Sequence, residues 1–221
     1  MKNIFPVYKP KGPTSNDIVV KIKKITGIKK VGHAGTLDPL ASGVLVIGVG
    51  REATKKLDSI VEKEKEYIAK IKLGETSSTD DEEGEKSIKQ KINKTKKQIE
   101  RVTSQFVGSI KQVPPKFSAI KVSGQEAYKL ARQGKALKLG PRDVEIKEIE
   151  IINYQWPYLA LRVVTGPGVY IRSLARDIGE KLKTGGYLVD LERTRVGDFT
   201  KEKSMTIDEF KDYFLSRESI D

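Results

Sequence analysis

Apolar residues follow two different periods along the chain, and these predict strands and helices that alternate irregularly. Residues 67–73 alternate in the way typical of a strand, and residues 44–49 form a short apolar run typical of a buried strand. Alternation at residues 144–152, 159–165 and 188–199 predicts three more strands. Because several predicted strands are consecutive, the pattern favours an α+β fold with a mixed, largely antiparallel sheet flanked by helices.

Helical segments are marked by capping sequences as well as by spacing. Thr14 and Asp17 form a capping-box sequence, and Gly27 is placed to end the helix that follows. Thr95 and Gln98 form a second capping-box sequence before another apolar helical period. Three further helices are predicted, over residues 125–133, 173–182 and 207–214.

Composition narrows the range of possible functions. The chain has 221 residues, no cysteine and one histidine, which excludes disulfides, thiol nucleophiles and cysteine-ligated metal centres. A zinc site that needs two or more imidazoles is also disfavoured. No apolar run approaches the length of a membrane span, and the first residues lack the apolar stretch of a signal peptide. A soluble, cytoplasmic protein is therefore expected.

Positive charge is concentrated in one part of the chain. There are 42 Lys and Arg residues against 30 Asp and Glu, for a net charge of +12. Residues 86–147 hold 16 basic and four acidic side chains, a local net charge of +12. This concentration indicates a surface for a polyanion such as nucleic acid, and a lysine-rich composition without function is the alternative.

The densest group of glycine and proline lies in residues 32–43, GHAGTLDPLASG, around the carboxylate of Asp38. Glycine allows a backbone to turn sharply and a ligand to approach closely. A carboxylate on such a loop is a candidate nucleophile or base. The alternative is an aspartate that only caps a helix or closes a turn.

The run GHAGTLDPLASGVLVIGVG closely resembles the signature of the bacterial tRNA pseudouridine-55 synthases, the TruB family. Five further segments match family motifs in the same order: KPKGPTSND (9–17), KEYIAKIKLGETSSTDDEEG (65–84), QVPPKFSAIKVSGQEAYKLARQG (112–134), GPGVYIRSLARDIGEKL (166–182) and YLVDLERTRVGDF (187–199). The resemblance implies a pseudouridine synthase fold in one catalytic domain, residues 1–221. It also implies an RNA-gripping insertion at about 112–142, while the usual C-terminal PUA-type domain is expected to be absent. GPRDV at 140–144 departs from the family pattern.

The resemblance implies that Asp38 is the catalytic carboxylate in the isomerisation of uridine to pseudouridine. It would attack the sugar C1′ or abstract a proton from C2′, and no cofactor or metal is expected. Arg172 matches the arginine that pairs with this aspartate, and an arginine can hold a carboxylate in a bidentate fork. Tyr67 matches the tyrosine that stacks on the target base and helps to remove the C5 proton. A surface arginine and a core tyrosine are the respective alternatives.

Further residues match positions that bind the substrate. Tyr170 and Leu191 match residues that line the uridine pocket, and His33 matches the histidine that fills the gap left by the extruded base. Lys9 would contact RNA or support the active-site loop. For Leu191 and His33 the alternatives are core packing and a structural hydrogen bond. The expected phosphate contacts are Arg132, Lys135, Lys138 and Arg142.

The expected partner is the T arm of tRNA, modified at position 55 by a monomer that needs no membrane and no obligate protein partner. A glycosidase is disfavoured because most such enzymes use two carboxylates. A tRNA-binding chaperone and the catalytic subunit of a guide-RNA ribonucleoprotein are the remaining alternatives. The acidic run at residues 80–83 lacks the alternating ligands of a calcium loop and is expected to be a solvated loop, although Asp81 matches a family position near the site.

Overall fold

The computed structural model describes residues 3–89, 92–118, 120–122, 124–127, 130, 133 and 139–218. Its α-helices are α1 (Ser15–Thr26), α2 (Arg51–Lys55), α3 (Leu57–Val61), α4 (Lys96–Thr103), α5 (Ile171–Lys181) and α6 (Ile207–Glu218). Its strands are β1 (Ile4–Lys9), β2 (Val31–Ala34), β3 (Ser42–Val49), β4 (Lys65–Leu73), β5 (Glu75–Ser77), β6 (Lys86–Ile88), β7 (Gly108–Gln112), β8 (Lys121–Val122), β9 (Gln125–Glu126), β10 (Arg142–Gln155), β11 (Tyr158–Thr165), β12 (Gly186–Val196) and β13 (Phe199–Thr200). The mixed sheet and its helices confirm the predicted α+β class.

The described chain divides into two compact units. The first unit comprises Met1–Ile68 and Leu191–Asp221, and the second unit comprises Ala69–Asp190. The single catalytic domain expected over residues 1–221 stays a prediction. Within the part of the chain described here, none of the helices has the length and hydropathy needed to cross a lipid bilayer.

In the first unit, β3 is the central strand and all eight of its residues are buried. β1 and β2 pair with β3 in antiparallel register, and β12 pairs with it in parallel. Leu45 and Ile47 pack into a core that includes residues of α1 and α6, whereas Val44 and Val46 pack against α2 and α3. Burial on both faces explains why this strand is continuously apolar.

The predicted boundaries of α1 are confirmed. The Thr14 side chain accepts a hydrogen bond from the Asp17 amide, and the Asp17 carboxylate accepts one from the Thr14 amide at 2.8 Å. Gly27 ends the helix in the left-handed region at φ 66°. The capping box satisfies backbone groups that the start of a helix leaves without partners, and glycine adopts the left-handed conformation without steric cost.

The second unit contains a long antiparallel pair. β10 pairs with β11 along most of its length and with β7 through residues 142–146. α4 begins with the predicted capping box at Thr95 and Gln98. α5 buries Leu174 and Ile178 completely, as its predicted spacing required.

Several short elements differ from the sequence-based predictions. β1, β2, α2 and α3 had not been predicted, because runs of four to six residues carry little periodic signal. The acidic run at residues 80–83 lies between two short strands that had not been predicted, β5 and β6, which pair with each other. Gln125–Glu126 form β9 rather than the start of a helix, and much of the helix predicted over 125–133 lies outside the described residues.

β12 approaches β3 closely at the pair Gly43–Arg193. Gly43 has φ +115°, and a Cβ placed there would lie 2.2 Å from the Arg193 carbonyl oxygen and 2.6 Å from its amide nitrogen. Real Cβ atoms do not come so close to backbone atoms, so the two strands can pair here only because residue 43 is glycine.

We therefore expect Gly43→Ala to destabilise the protein strongly. Gly12→Ala is the matched control, since Gly12 also has positive φ (+103°) but has no atom within 4 Å of its Cβ position. Urea unfolding should show a loss of about 1–2 kcal/mol for the control, from backbone strain. The loss for Gly43→Ala should be larger by at least about 2 kcal/mol. Equal losses would contradict a close strand contact.

Candidate active site

Asp38 lies on the loop between β2 and β3, in the first unit, and its side chain is half-buried. Neighbouring main chain is held on both sides of it. The Ser15 hydroxyl donates to the Leu37 carbonyl at 3.0 Å and accepts from the Leu37 amide at 2.8 Å. The Gly12 amide donates to the Pro39 carbonyl at 2.8 Å. These bonds fix the backbone from which the carboxylate projects.

Lys9, at the end of β1, is completely buried. Its ammonium donates to the carbonyls of Pro10 and Pro13, each at 2.9 Å. Burial lowers the pKa of Lys9 to about 8, and the negative charge of Asp38 opposes that shift. Of the two roles predicted for Lys9, this geometry favours support of the active-site loop over contact with RNA.

Arg193, on β12, is the largest fully buried side chain among the described residues and had not been predicted as a site residue. Its Nε donates to the Val44 carbonyl at 2.8 Å, and Nη2 donates to the Gly35 carbonyl at 3.0 Å. Its side chain also interacts electrostatically with Tyr67 and with Asp38. The sequence held one usable signal, because Arg193 lies two positions from Leu191 in a predicted strand and therefore shares its face.

Three more predicted residues lie in the first unit. Tyr67 on β4 is buried, and Leu191 on β12 is 7% exposed. His33 on β2 is half-buried, and its Nδ1 is a buried atom for which the described residues supply no hydrogen-bond partner. Burial, reinforced by the charge of Arg193, lowers the pKa of His33, which favours a neutral imidazole.

The first unit therefore holds one carboxylate that interacts with buried positive charge. Lys9 and Arg193 both interact electrostatically with Asp38, and Lys65 is a third buried cation, whose charge interacts with Arg193. Opposite charges nearby favour the ionised form of a carboxylate, which both a nucleophile and a base require. In the described ranges, no group of three or more His, Cys, Asp or Glu side chains is placed to hold a metal ion.

Arg172 lies at the start of α5, in the second unit, with 5% of its surface exposed. Its Nη1 donates to the Asp81 carboxylate at 3.2 Å, and its Nη2 donates to the Phe117 carbonyl at 2.8 Å. Asp81 also accepts hydrogen bonds from the Thr79 hydroxyl and from the Glu83 amide. Asp81 is thus a carboxylate partner of Arg172 that sequence reasoning had not assigned, and the pairing of Arg172 with Asp38 stays a prediction.

The acidic run is only partly solvated, which corrects the expectation of a solvated loop. Asp81 is buried, and Asp80 is half-buried and pairs with Arg176 at 2.9 Å. Arg176 also donates to the Val113 carbonyl at 2.8 Å. Charge alone had suggested exposure, but two arginines one turn apart on α5 neutralise these carboxylates.

Of the other predicted residues in the second unit, the structure describes Tyr170 and Arg142. Tyr170 is half-buried, and its amide donates to the Gln112 side chain at 2.9 Å. Arg142 is exposed at the start of β10, where a phosphate could reach it. The other three predicted phosphate contacts, Arg132, Lys135 and Lys138, lie outside the described residues.

Lys65 yields a prediction about stability and pH. It is 7% exposed and donates to the carbonyls of Val61 and Lys63. Burial, with a further effect from Arg193, lowers the pKa of Lys65 to about 8. In the unfolded chain the pKa returns to its ordinary value of about 10.4, so between these values only the unfolded state holds the proton. Stability rises with pH wherever the unfolded state binds more protons.

The wild type should therefore gain stability relative to Lys65→Met as the pH rises. The difference between their free energies of unfolding, wild type minus variant, should increase by about 2–3 kcal/mol between pH 7 and pH 10.5. Denaturant titrations at several pH values measure this difference. Lys63→Met alters an exposed lysine two residues away and should retain the pH dependence of the wild type. A flat difference for Lys65→Met would show that the buried ammonium stays protonated throughout.

Among solved structures, similar folds occur in complexes. A chain of a Cbf5-Nop10-Gar1 complex superposes with a TM-score of 0.76 at 30% identity, covering 99% of this chain and 56% of that chain. A chain of an H/ACA RNP bound to a substrate RNA containing 2′-deoxyuridine superposes with a TM-score of 0.72 at 28% identity, with the same coverage. This chain thus spans about half the length of those two solved chains.

Relatives found by sequence are more similar to this chain than those solved structures are. The tRNA pseudouridine synthase B of Clostridium novyi is 46% identical over 221 residues, covering 98% of this chain and 76% of that protein. The same-named protein of Parabacteroides distasonis is 46% identical over 195 residues, covering 88% and 81%. The family model of the TruB pseudouridylate synthase N-terminal domain matches residues 23–171, and that of the tRNA pseudouridylate synthase B C-terminal domain matches residues 172–221. The chain therefore belongs to the TruB family of pseudouridylate synthases.

Proposed function

We propose that the protein isomerises uridine to pseudouridine in the T arm of tRNA, at position 55. The observation that carries the proposal is the place of Asp38 in a chain of this family. Its carboxylate projects from a loop clamped by Ser15 and Gly12, and it interacts with two buried cations, of which Arg193 also interacts with Tyr67. A tRNA substrate also suits the positive charge of residues 86–147.

In the proposed reaction, the bond between N1 of the base and C1′ of the sugar breaks, and a bond between C5 and C1′ forms. The proton leaves C5, and N1 takes up a proton, so no group is gained or lost. Attack by Asp38 on C1′ and abstraction of a C2′ proton both require the ionised carboxylate. Lys9 and Arg193 supply positive charge that favours this form.

The remaining predicted residues act on the substrate in this proposal. Tyr67 stacks on the extruded base, as aromatic faces do in enzymes that flip bases, and assists removal of the C5 proton. Tyr170 and Leu191 line the base pocket, and neutral His33 fills the gap in the RNA stack. Arg172 pairs with Asp38. The proposed phosphate contacts remain Arg132, Lys135, Lys138 and Arg142, and the proposed site of action is the cytoplasm, where the enzyme acts as a monomer.

Asp38→Asn tests this function, because the amide keeps the shape of the side chain but is neither nucleophile nor base. Tritium release from C5-labelled uridine in unmodified tRNA should fall by about a thousandfold or more. Affinity for tRNA, measured by filter binding, should stay within about threefold, since phosphate contacts dominate binding. Asp58→Asn changes an exposed carboxylate on α3 and should release tritium at the wild-type rate.

The same assays separate the alternatives. Wild-type protein that binds tRNA but releases no tritium would be a chaperone rather than an isomerase. The similarity to complexed chains at 28–30% identity makes a ribonucleoprotein subunit the second candidate. That candidate requires tritium release to depend on added guide RNA, whereas we expect release from tRNA with the protein alone.

A further inference from the structure

We propose that Arg193 is a positioning residue of this site, which holds the Asp38 loop and the Tyr67 ring in a fixed relation. The inference rests on the proposed function and adds a residue that the sequence resemblance did not assign. It is carried by the hydrogen bonds, burial and strand placement of the Arg193 side chain.

Arg193 lies where β3 and β12 approach each other closely. Its backbone lies against Gly43, and its side chain is 1% exposed. Burying a guanidinium is costly unless its donors are satisfied. A guanidinium buried to this extent therefore needs several acceptors.

Those acceptors come from separate segments of the first unit. Val44 on β3 accepts from Nε at 2.8 Å, Gly35 accepts from Nη2 at 3.0 Å, and Thr36 accepts from Nη1 in a longer contact of 3.5 Å. Tyr67 on β4 interacts electrostatically with the same guanidinium. Arginine carries five donors in a rigid fork, so one side chain can hold the three carbonyls at once.

Arg193 acts on Asp38 through the residues that precede Asp38 in the sequence. Gly35 and Thr36 lie just before it, and Ser15 holds the intervening Leu37. Arg193 thus fixes the approach of the chain to Asp38 while the same guanidinium interacts electrostatically with Tyr67. Misplacing a catalytic group by about 1 Å can cost a hundredfold in rate, so this shared anchor would matter to catalysis without touching substrate.

Arg193→Lys tests the inference, because lysine keeps the charge but loses the fork. Arg195→Lys is the matched control on the same strand, where Arg195 pairs with Glu64 at 2.6 Å. Single-turnover tritium release at saturating tRNA should fall by about tenfold to a hundredfold for Arg193→Lys, with tRNA Kd within about twofold. The control should match the wild type in both measurements.

A double-mutant cycle distinguishes positioning from a general loss of structure. In the Tyr67→Phe background, one partner of Arg193 is already missing, so Arg193→Lys should cost at least about threefold less than in the wild type. Hydrogen exchange should also be about tenfold faster for the amides of residues 35–38 in Arg193→Lys than in Arg195→Lys.

Three results would overturn the proposal: a wild-type rate in Arg193→Lys, equal losses in both backgrounds, or unchanged exchange in residues 35–38. An Arg193→Lys protein that does not fold would assign Arg193 to the fold alone and would overturn it as well. Wild-type protein that forms no pseudouridine would instead defeat the proposed function. The exchange measurement would then still decide whether Arg193 holds the loop.

Discussion

The close approach of β3 and β12 at Gly43 and Arg193 is the constraint on which the site of the first unit depends. It leaves no room for a side chain at residue 43, and it buries a guanidinium whose hydrogen bonds reach the loop before Asp38. Catalytic groups on a loop are usually positioned less precisely than those on a helix or strand. Here, hydrogen bonds from β12 and from the first turn of α1 give that loop the rigidity of the sheet beside it.

Buried positive charge is a second feature of the first unit. Lys9, Lys65 and Arg193 are all buried, and the lysines satisfy their ammonium groups with main-chain carbonyls rather than with carboxylates. Because carbonyls carry no net charge, these hydrogen bonds do not neutralise the positive charge of the two lysines. This buried charge costs stability, as the lowered pKa values of both lysines indicate, but it favours a carboxylate that must work in its ionised form.

Local signals in the sequence predicted the regular elements well. The capping boxes at Thr14 and Thr95 are confirmed because each depends on residues only three positions apart. Family motifs in the sequence also predicted the TruB family, to which the chain belongs. Short strands such as β2 were missed because four residues cannot display a period.

Contacts between distant segments were beyond the reach of such signals. The role of Arg193 depends on β3, β4 and a loop more than 100 residues earlier, and the burial of Asp81 depends on Arg172. Isolated charged residues on a strand or loop look like surface residues until their partners are known. Predicting these contacts would have required the strand order, which pattern alone does not supply.

The proposed function requires that this chain alone converts one tRNA uridine to pseudouridine. Mapping pseudouridine by mass spectrometry in an unmodified tRNA transcript, after incubation with the purified protein, is the decisive experiment. We expect stoichiometric conversion of a single uridine in the T arm, without cofactor, metal or guide RNA. Conversion of no uridine, or of uridines scattered over the transcript, would contradict it.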